Sequence, residues 1–193
     1  MTGLLFDIPA PAALDIPGLQ YLPDFIAADE EQALIEAIDQ QTWLSDFKRR
    51  VQHYGYKYDY KARAVTADSY LGTLPEWIAP VALKLPFKPD QAIVNEYLPG
   101  QGISAHIDCV PCFDDMIASL SLGSGTVMQF TNGQEKHDLY LEPCSLIILS
   151  GPARYKWAHA IPARKSDVVD GFKIERGRRI SLTFRNVILS SDF

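Results

Sequence analysis

His106, Asp108 and His159 have the residue types and the spacing that could hold a reactive metal. A His-x-Asp pair with a second histidine about fifty residues on matches the 2-His-1-carboxylate facial triad. In that arrangement three protein atoms hold Fe(II) on one side and leave the other positions for a cosubstrate and O₂. Imidazole and carboxylate suit Fe(II), whereas a buried structural zinc more often recruits thiolates. The pair alone is weak. With four histidines in the chain and aspartate about one residue in twenty, chance would supply a His-x-Asp in roughly a fifth of such sequences.

The elements that must position these groups add weight. Ala92 to Tyr97 reads as a short strand that Pro99-Gly100 stops. On a strand Asn95 and Tyr97 face the same way, and the same rule would align His106 with Asp108. Downstream, Arg178 to Leu189 is strand-like, with Ile180, Leu182 and Phe184 on one face. Arg179, Ser181, Thr183 and Arg185 fall on the other. Two arginines on an inward face are costly to bury unless an anion meets them. A small dicarboxylate that also chelates the metal would be that anion, because guanidinium pairs with carboxylate in a bidentate fork. Triad and arginine face therefore ask for one cosubstrate, 2-oxoglutarate, with Ser181 placed between the two arginines.

The stretch Asn95 to Asp108, the strand Ile117 to Gly123, His159 and the Arg179 to Arg185 strand together resemble the AlkB family of Fe(II)/2-oxoglutarate dioxygenases. The resemblance covers about residues 20 to 188. It implies that His106, Asp108 and His159 are the catalytic metal ligands and that Asn95 and Tyr97 hydrogen-bond 2-oxoglutarate. Arg179 would then pair with the distal carboxylate, and Arg185 would lie near the carboxylate at the metal end. DNA-repair members of the family usually carry an acidic residue two positions beyond the metal aspartate. Here that position is Val110. The following loop, with Arg49 to Tyr56, looks closer to the oxygenase domain of the animal AlkB homologue that hydroxylates tRNA wobble uridines.

At 193 residues and 47% hydrophobic, the chain suits one domain with a sizeable core. A helical and lid region over about residues 20–90 would precede a catalytic core over about 91–188. No apolar window of about eighteen residues exists, and the N-terminus lacks a basic stretch followed by an apolar run. A soluble, cytoplasmic, monomeric protein without a membrane partner is expected, with Pro9 to Ala13 as a short leader. Three cysteines, an odd number, argue against a disulfide framework. Cys109-x-x-Cys112 lacks the two further ligands of a zinc site and the helix context of a redox motif. Proximity to the iron would make Cys109 liable to oxidation.

The formal net charge is −6, yet it is unevenly distributed. Residues 1–47 hold nine acids and no Lys or Arg, whereas 48–63 hold Lys48, Arg49, Arg50, Lys57, Lys61 and Arg63 against Asp59 alone. Residues 154–185 hold nine basic residues against three acids. These two segments either form one electropositive face for nucleic acid or are solvated loops and a cosubstrate pocket. Tyr54, Tyr56, Tyr58 and Tyr60 alternate with Gly55, Lys57 and Asp59, so a strand there would align four tyrosines. Such a face could stack unpaired bases, or simply pack on the sheet. Family resemblance places a nucleotide-recognition lid here, which makes Arg49, Arg50, Tyr54, Tyr56, Tyr58 and Arg63 candidate substrate-binding residues.

Elsewhere Asp29 with Gln32 reads as a capping box opening a helix to about Gln40, with Leu34, Ile35 and Ile38 inward. Leu74 to Leu85 reads as a shorter helix interrupted by Pro80. From Ala92 onward short strands dominate, including Thr126 to Phe130, Asp138 to Glu142 and Cys144 to Leu149. His53 and His137 read as surface or packing residues. The expected fold is mainly β with flanking helices (α+β), around a double-stranded β-helix, or jelly-roll, core. The expected activity is oxidative demethylation or hydroxylation of alkylated or modified bases in DNA or RNA, tRNA included, for DNA repair or RNA modification. Two alternatives stand beside it: an Fe(II)/2-oxoglutarate oxygenase acting on a protein, and a non-catalytic nucleic-acid-binding module.

Overall fold

The computed structural model describes residues 14–45 and 49–189. The leader read at Pro9 to Ala13, and Lys48 of the first basic segment, lie outside the described residues. The chain opens with β1 (Leu19–Leu22), α1 (Ala28–Asp39) and β2 (Val51–Tyr54), followed by a 3-10 turn at Glu76–Ile78 that runs into α2 (Ala79–Ala82). Strands β3 (Gln91–Tyr97), β4 (Ile103–His106), β5 (Ile117–Gly123), β6 (Thr126–Asn132), β7 (Glu135–Leu141) and β8 (Leu146–Leu149) come next. Helix α3 (Gly151–Tyr155) then leads to β9 (Ala158–Ile161), β10 (Ser166–Val169), β11 (Phe172–Glu175) and β12 (Arg179–Arg185).

These strands form a six-stranded sheet in the order β1-β8-β5-β12-β3-β2 and a four-stranded sheet in the order β4-β9-β6-β7, with β10 and β11 as a separate hairpin. The larger sheet has two different faces, and side-chain alternation explains why. Ile180, Leu182 and Phe184 of β12 join Val94, Leu120, Ile148 and the α1 residues Leu34 and Ile38 in one buried cluster. The opposite face turns toward the smaller sheet, where Met128, Phe130, Leu139, Leu141 and Ile161 pack with Ile117, Ile147 and Leu149. Each such side chain, buried fully, stabilises the fold by about 1.5–3 kcal/mol. Two facing sheets with helices outside one of them make the double-stranded β-helix, mainly β with few helices.

Several elements differ in detail from the expectations. Helix α1 begins at Ala28, and the carboxylate that reaches back belongs to Glu30, which accepts the Ala27 N–H at 3.0 Å. Asp29 and Gln32 therefore do not form the box, and Gln32 instead donates to Glu36 at 2.9 Å. Pro80 does not interrupt a helix: it sits in the first turn of α2, where its missing N–H costs no hydrogen bond. The last strand stops at Arg185 rather than near Leu189. The aligned face of four tyrosines does not form, because β2 ends at Tyr54. Gly55 then takes a φ of 76° against the Asp90 carbonyl, where a Cβ would clash. Nor does the sheet respect a division near residue 90, since β1 and β2 supply its two edges.

Candidate metal and cosubstrate site

The two histidines meet because β4 and β9 run antiparallel with His106 directly opposite His159. Their ring centroids lie 4.4 Å apart. Asp108 does not share a strand with His106: β4 ends at His106, and the loop beyond it brings the carboxylate back. Potential ligand atoms of His106, Asp108 and His159 all fall within 4.8 Å of one another. His106 Nδ1 lies 2.9 Å from the Ser104 carbonyl, which accepts from it. The tautomer with hydrogen on Nδ1 leaves the Nε2 lone pair facing Asp108 Oδ1, 3.7 Å away.

Protonation states fit ligation. Burial pulls the His159 imidazole down to about 4, so it is neutral at physiological pH. Burial alone would raise the Asp108 carboxyl, but the Arg185 guanidinium, helped by both histidines and Arg154, holds it well below the usual carboxylate range. Arg185 Nη2 lies 3.3 and 3.4 Å from the two carboxylate oxygens. The buried His159 Nδ1 has no hydrogen-bond partner among the described residues. Two imidazoles and one carboxylate at this spacing are the donor set that Fe(II) takes in a facial triad.

The arginine face of β12 closes the same cavity. Arg179 and Arg185, with Ser181 and Thr183 between them, line a cleft of about 300 Å³ that also contains Asn95, Tyr97 and the three ligand candidates. Strand register explains the grouping, since Tyr97 stands opposite Arg179 and Asn95 opposite Ser181. Arg179 Nη2 donates to Ser121 Oγ at 2.8 Å, while its Nε and Nη1 are buried with no partner among the described residues. Its guanidinium stands 5.4 Å from the Tyr97 ring centroid. Burial draws it down to about 10. Unsatisfied buried donors of this kind cost about 1–3 kcal/mol each, more for charged groups. An anionic carboxylate placed against Arg179 would remove that cost. Ser181 lines the cleft, but its hydroxyl is engaged with Ser119 at 2.9 Å and Thr183 at 3.2 Å.

The six candidate substrate residues separate. Arg49, Tyr58 and Arg63 line the cleft. Arg49 Nε donates to Asn95 Oδ1 at 3.1 Å, and its guanidinium lies 5.6 Å from the Tyr97 centroid. Tyr58 packs on Phe113 and Tyr60. Arg50 does not face the cleft: neighbours in an extended chain point oppositely, and it forks onto Glu96 at 2.6 Å through both Nε and Nη2. Tyr54 is likewise corrected, since it packs edge-on against Trp77 in the cluster on the other side of the sheet. Tyr56 packs at a tilt against Tyr70 and lines a separate groove. In the second basic segment the arginines are paired or buried, while Lys156, Lys165 and Lys173 are exposed. Arg176 and Arg164 pair with Asp167, Arg178 pairs with Glu96 and Asp39, and Arg154 is fully buried.

Two site features escaped sequence reading. Tyr60, which lines the cleft, belongs to the same alternating run but was not singled out. Arg154 donates to the Asp108 carbonyl at 3.0 Å. Its place beside Tyr155 and Lys156 in the run leading to His159 carries no sequence signal of that role. Cys109 and Cys112 form a disulfide immediately after Asp108, a pairing that the zinc and redox readings of this Cys-x-x-Cys did not include. One pairing within a single turn is a local link rather than a framework. Cys144 is free and buried. His137 packs against Trp157, and His53 packs edge-on against Tyr60.

Comparison with known proteins gives the following. Residues 44–185 match the family model described as the 2OG-Fe(II) oxygenase superfamily. The chain is 40% identical over 205 residues to an Arabidopsis thaliana protein named "Alkylated DNA repair protein ALKBH8 homolog", covering 90% of this chain and 59% of that one. It is 37% identical to the mouse "tRNA (carboxymethyluridine(34)-5-O)-methyltransferase ALKBH8", covering 89% of this chain but 30% of the mouse protein. With the mouse mitochondrial "Alpha-ketoglutarate-dependent dioxygenase alkB homolog 7" it shares 31% identity, over 86% of this chain and 76% of that one. The solved structure of OsALKBH1 superposes with a TM-score of 0.66 at 16% identity, over 88% and 97% of the two chains, a likeness of fold.

Proposed function

Because the chain belongs to the AlkB family within the 2OG-Fe(II) oxygenase superfamily, we propose that it oxidises a C–H bond on an alkylated or modified base of DNA or RNA, tRNA included. The enzyme class and the pair Fe(II) and 2-oxoglutarate follow from the family. The residue roles and the substrate are our reading. One observation carries it: a single cleft joins the His106, Asp108 and His159 cluster to Arg179, with its open donors, and to Arg49, Tyr58 and Arg63. Relatives named for alkylated-DNA repair and for tRNA modification support a nucleic-acid substrate. The methyltransferase activity in the mouse name is not carried over, since this chain spans 30% of that protein.

With Fe(II), 2-oxoglutarate and O₂ bound, the group supplies an oxidant that inserts one oxygen atom into a C–H bond as 2-oxoglutarate becomes succinate and CO₂. The protein supplies placement. His106, Asp108 and His159 present two nitrogens and one oxygen from one side. Arg179 would take the distal carboxylate in a bidentate fork, with Asn95 and Tyr97, which line the same cleft, placed to flank it. Arg185 keeps Asp108 ionised and would lie near the carboxylate at the metal end. Arg49 and Arg63 at the cleft offer charge for phosphate, and Tyr58 offers a ring for an unstacked base. If the oxidised carbon is a methyl on a base nitrogen, the hydroxylated product releases formaldehyde; if it is carbon-bound, the hydroxyl stays. Single strands or loops are the easier substrates, because extruding a base from a duplex costs a few kcal/mol.

The deciding experiment is a succinate-release screen over methylated oligonucleotides, tRNA and peptides, with light scattering to check the monomer we also propose. Stimulation by one nucleic-acid class supports the reading. Stimulation by peptides alone gives the site to the protein-substrate alternative, and nucleic-acid binding without any succinate gives it to the non-catalytic one.

A further inference from the structure

Among the described residues Asp108 has no ladder partner. Strand β4 ends two residues before it, and β9 pairs with β4 only as far as His106. What gathers the loop is Arg154, one of the largest fully buried side chains. Its Nη1 donates to the Asp108 carbonyl at 3.0 Å, and its Nη2 donates to the carbonyls of Cys109 and Phe113, each at 3.2 Å. Its Nε lies 3.5 Å from the Asp114 carbonyl. One planar fork thus holds four carbonyls of a single loop, a geometry that a lysine ammonium cannot reproduce. The next residue, Tyr155, donates to Asp115 Oδ1 at 2.6 Å. Both residues lie on α3, which passes through the buried Trp157 into β9 and His159. The segment that carries the third ligand candidate therefore also clamps the loop that carries the second.

From this geometry we propose that Arg154 is a positioning residue for the metal centre, fixing the Asp108 carboxylate relative to the two imidazoles through the backbone of its loop. The proposal rests on reading His106, Asp108 and His159 as the metal ligands. A guanidinium buried against carbonyls is costly to desolvate, and it loses its function if the loop moves by a hydrogen-bond length. Groups that orient metal ligands typically change metal affinity or activity by about 10–100-fold when removed.

The test uses the full chain and Mn(II) as a redox-silent probe, with free Mn(II) read by its EPR signal in the presence of 2-oxoglutarate. Arg154→Met is expected to weaken Mn(II) binding by about 10–100-fold, while 2-oxoglutarate affinity at saturating Mn(II) stays within twofold of wild type. Arg154→Lys should recover part of the loss. Leu34→Ala, a core change on the other face of the sheet, should lower Tm and leave Mn(II) affinity unchanged. Wild-type Mn(II) affinity in Arg154→Met, or an equal loss in Leu34→Ala, overturns the proposal. If Arg154→Met does not fold, Arg154→Lys decides, and binding as tight as wild type overturns it. Asp108→Ala separates the two readings: should it bind Mn(II) as tightly as wild type, the metal assignment itself falls and this proposal with it.

Discussion

At the scale of single residues, Arg179 is the most exposing test of the cosubstrate site. Two of its three guanidinium nitrogens are buried without a partner among the described residues, so the cleft is built for a group it must receive. Arg179→Ala is expected to raise the KM for 2-oxoglutarate strongly, by the about 2–5 kcal/mol typical when one member of a buried charge pair is deleted. Arg179→Lys should restore only part, since a point charge cannot replace the fork. Unchanged 2-oxoglutarate dependence in Arg179→Ala would place the cosubstrate elsewhere. Asp108→Ala should abolish succinate formation while circular dichroism shows the fold retained, and full turnover in a folded variant would sink the triad assignment.

At the scale of elements, the segment entering β2 makes a sharp comparison. Arg49 and Arg50 are adjacent and equally basic, yet one bonds Asn95 in the cleft and the other forks onto Glu96 outside it. Arg49→Ala should weaken binding of a single-stranded oligonucleotide. Arg50→Ala should leave binding intact and cost about 1 kcal/mol or less of stability, because the pair is half-exposed and Arg178 still holds Glu96. Equal effects on binding would refute the separation. Tyr58→Ala should cost about 1–3 kcal/mol of oligonucleotide affinity if its ring stacks on a base, and Tyr54→Ala should destabilise the fold without that loss.

At the scale of the whole molecule, the arginines of residues 154–185 are spent in ion pairs or in the interior, while the lysines of that stretch are exposed. Arg164, Arg176 and Arg178 are paired, and Arg154, Arg179 and Arg185 are buried. Oligonucleotide binding should therefore show a shallow dependence of log K on log salt, with a slope magnitude of about one to three. A much steeper slope would mean that a basic face exists elsewhere. The same pairs set the acid limit of stability. Hydrogen bonds from Arg50 and Arg178 lower Glu96, and a hydrogen bond from Arg178 lowers Asp39. Burial would raise Asp167, but Arg176 and Arg164 outweigh it. Depressed carboxylates contribute stability that is present above their unfolded values of about 4 and is lost as pH falls through the folded ones. Tm should be flat above about pH 7, begin to fall below about pH 6.5 as the buried neutral His159 is forced to charge, and fall further below about pH 4 as these carboxylates protonate. A Tm that does not fall in acid would show that these pairs contribute little.

Local pattern determined much of this protein without the fold. The alternation of Ile180, Leu182 and Phe184 with Arg179, Ser181, Thr183 and Arg185 is a period of two, which any strand must obey, and the structure puts those faces in the core and in the cleft. The histidine and aspartate spacing was legible only in the company of the neighbouring strands, because a His-x-Asp pair by itself often arises by chance. Tertiary structure alone decided where the loops go. Gly55 turned the tyrosine run out of the sheet, a neighbouring strand's Glu96 captured Arg50, and α3 delivered Arg154 to a loop forty-odd residues earlier in the chain. Those outcomes depend on contacts between residues far apart in sequence. A side chain's direction in a loop follows from its partners, and its partners exist only once the sheets have closed.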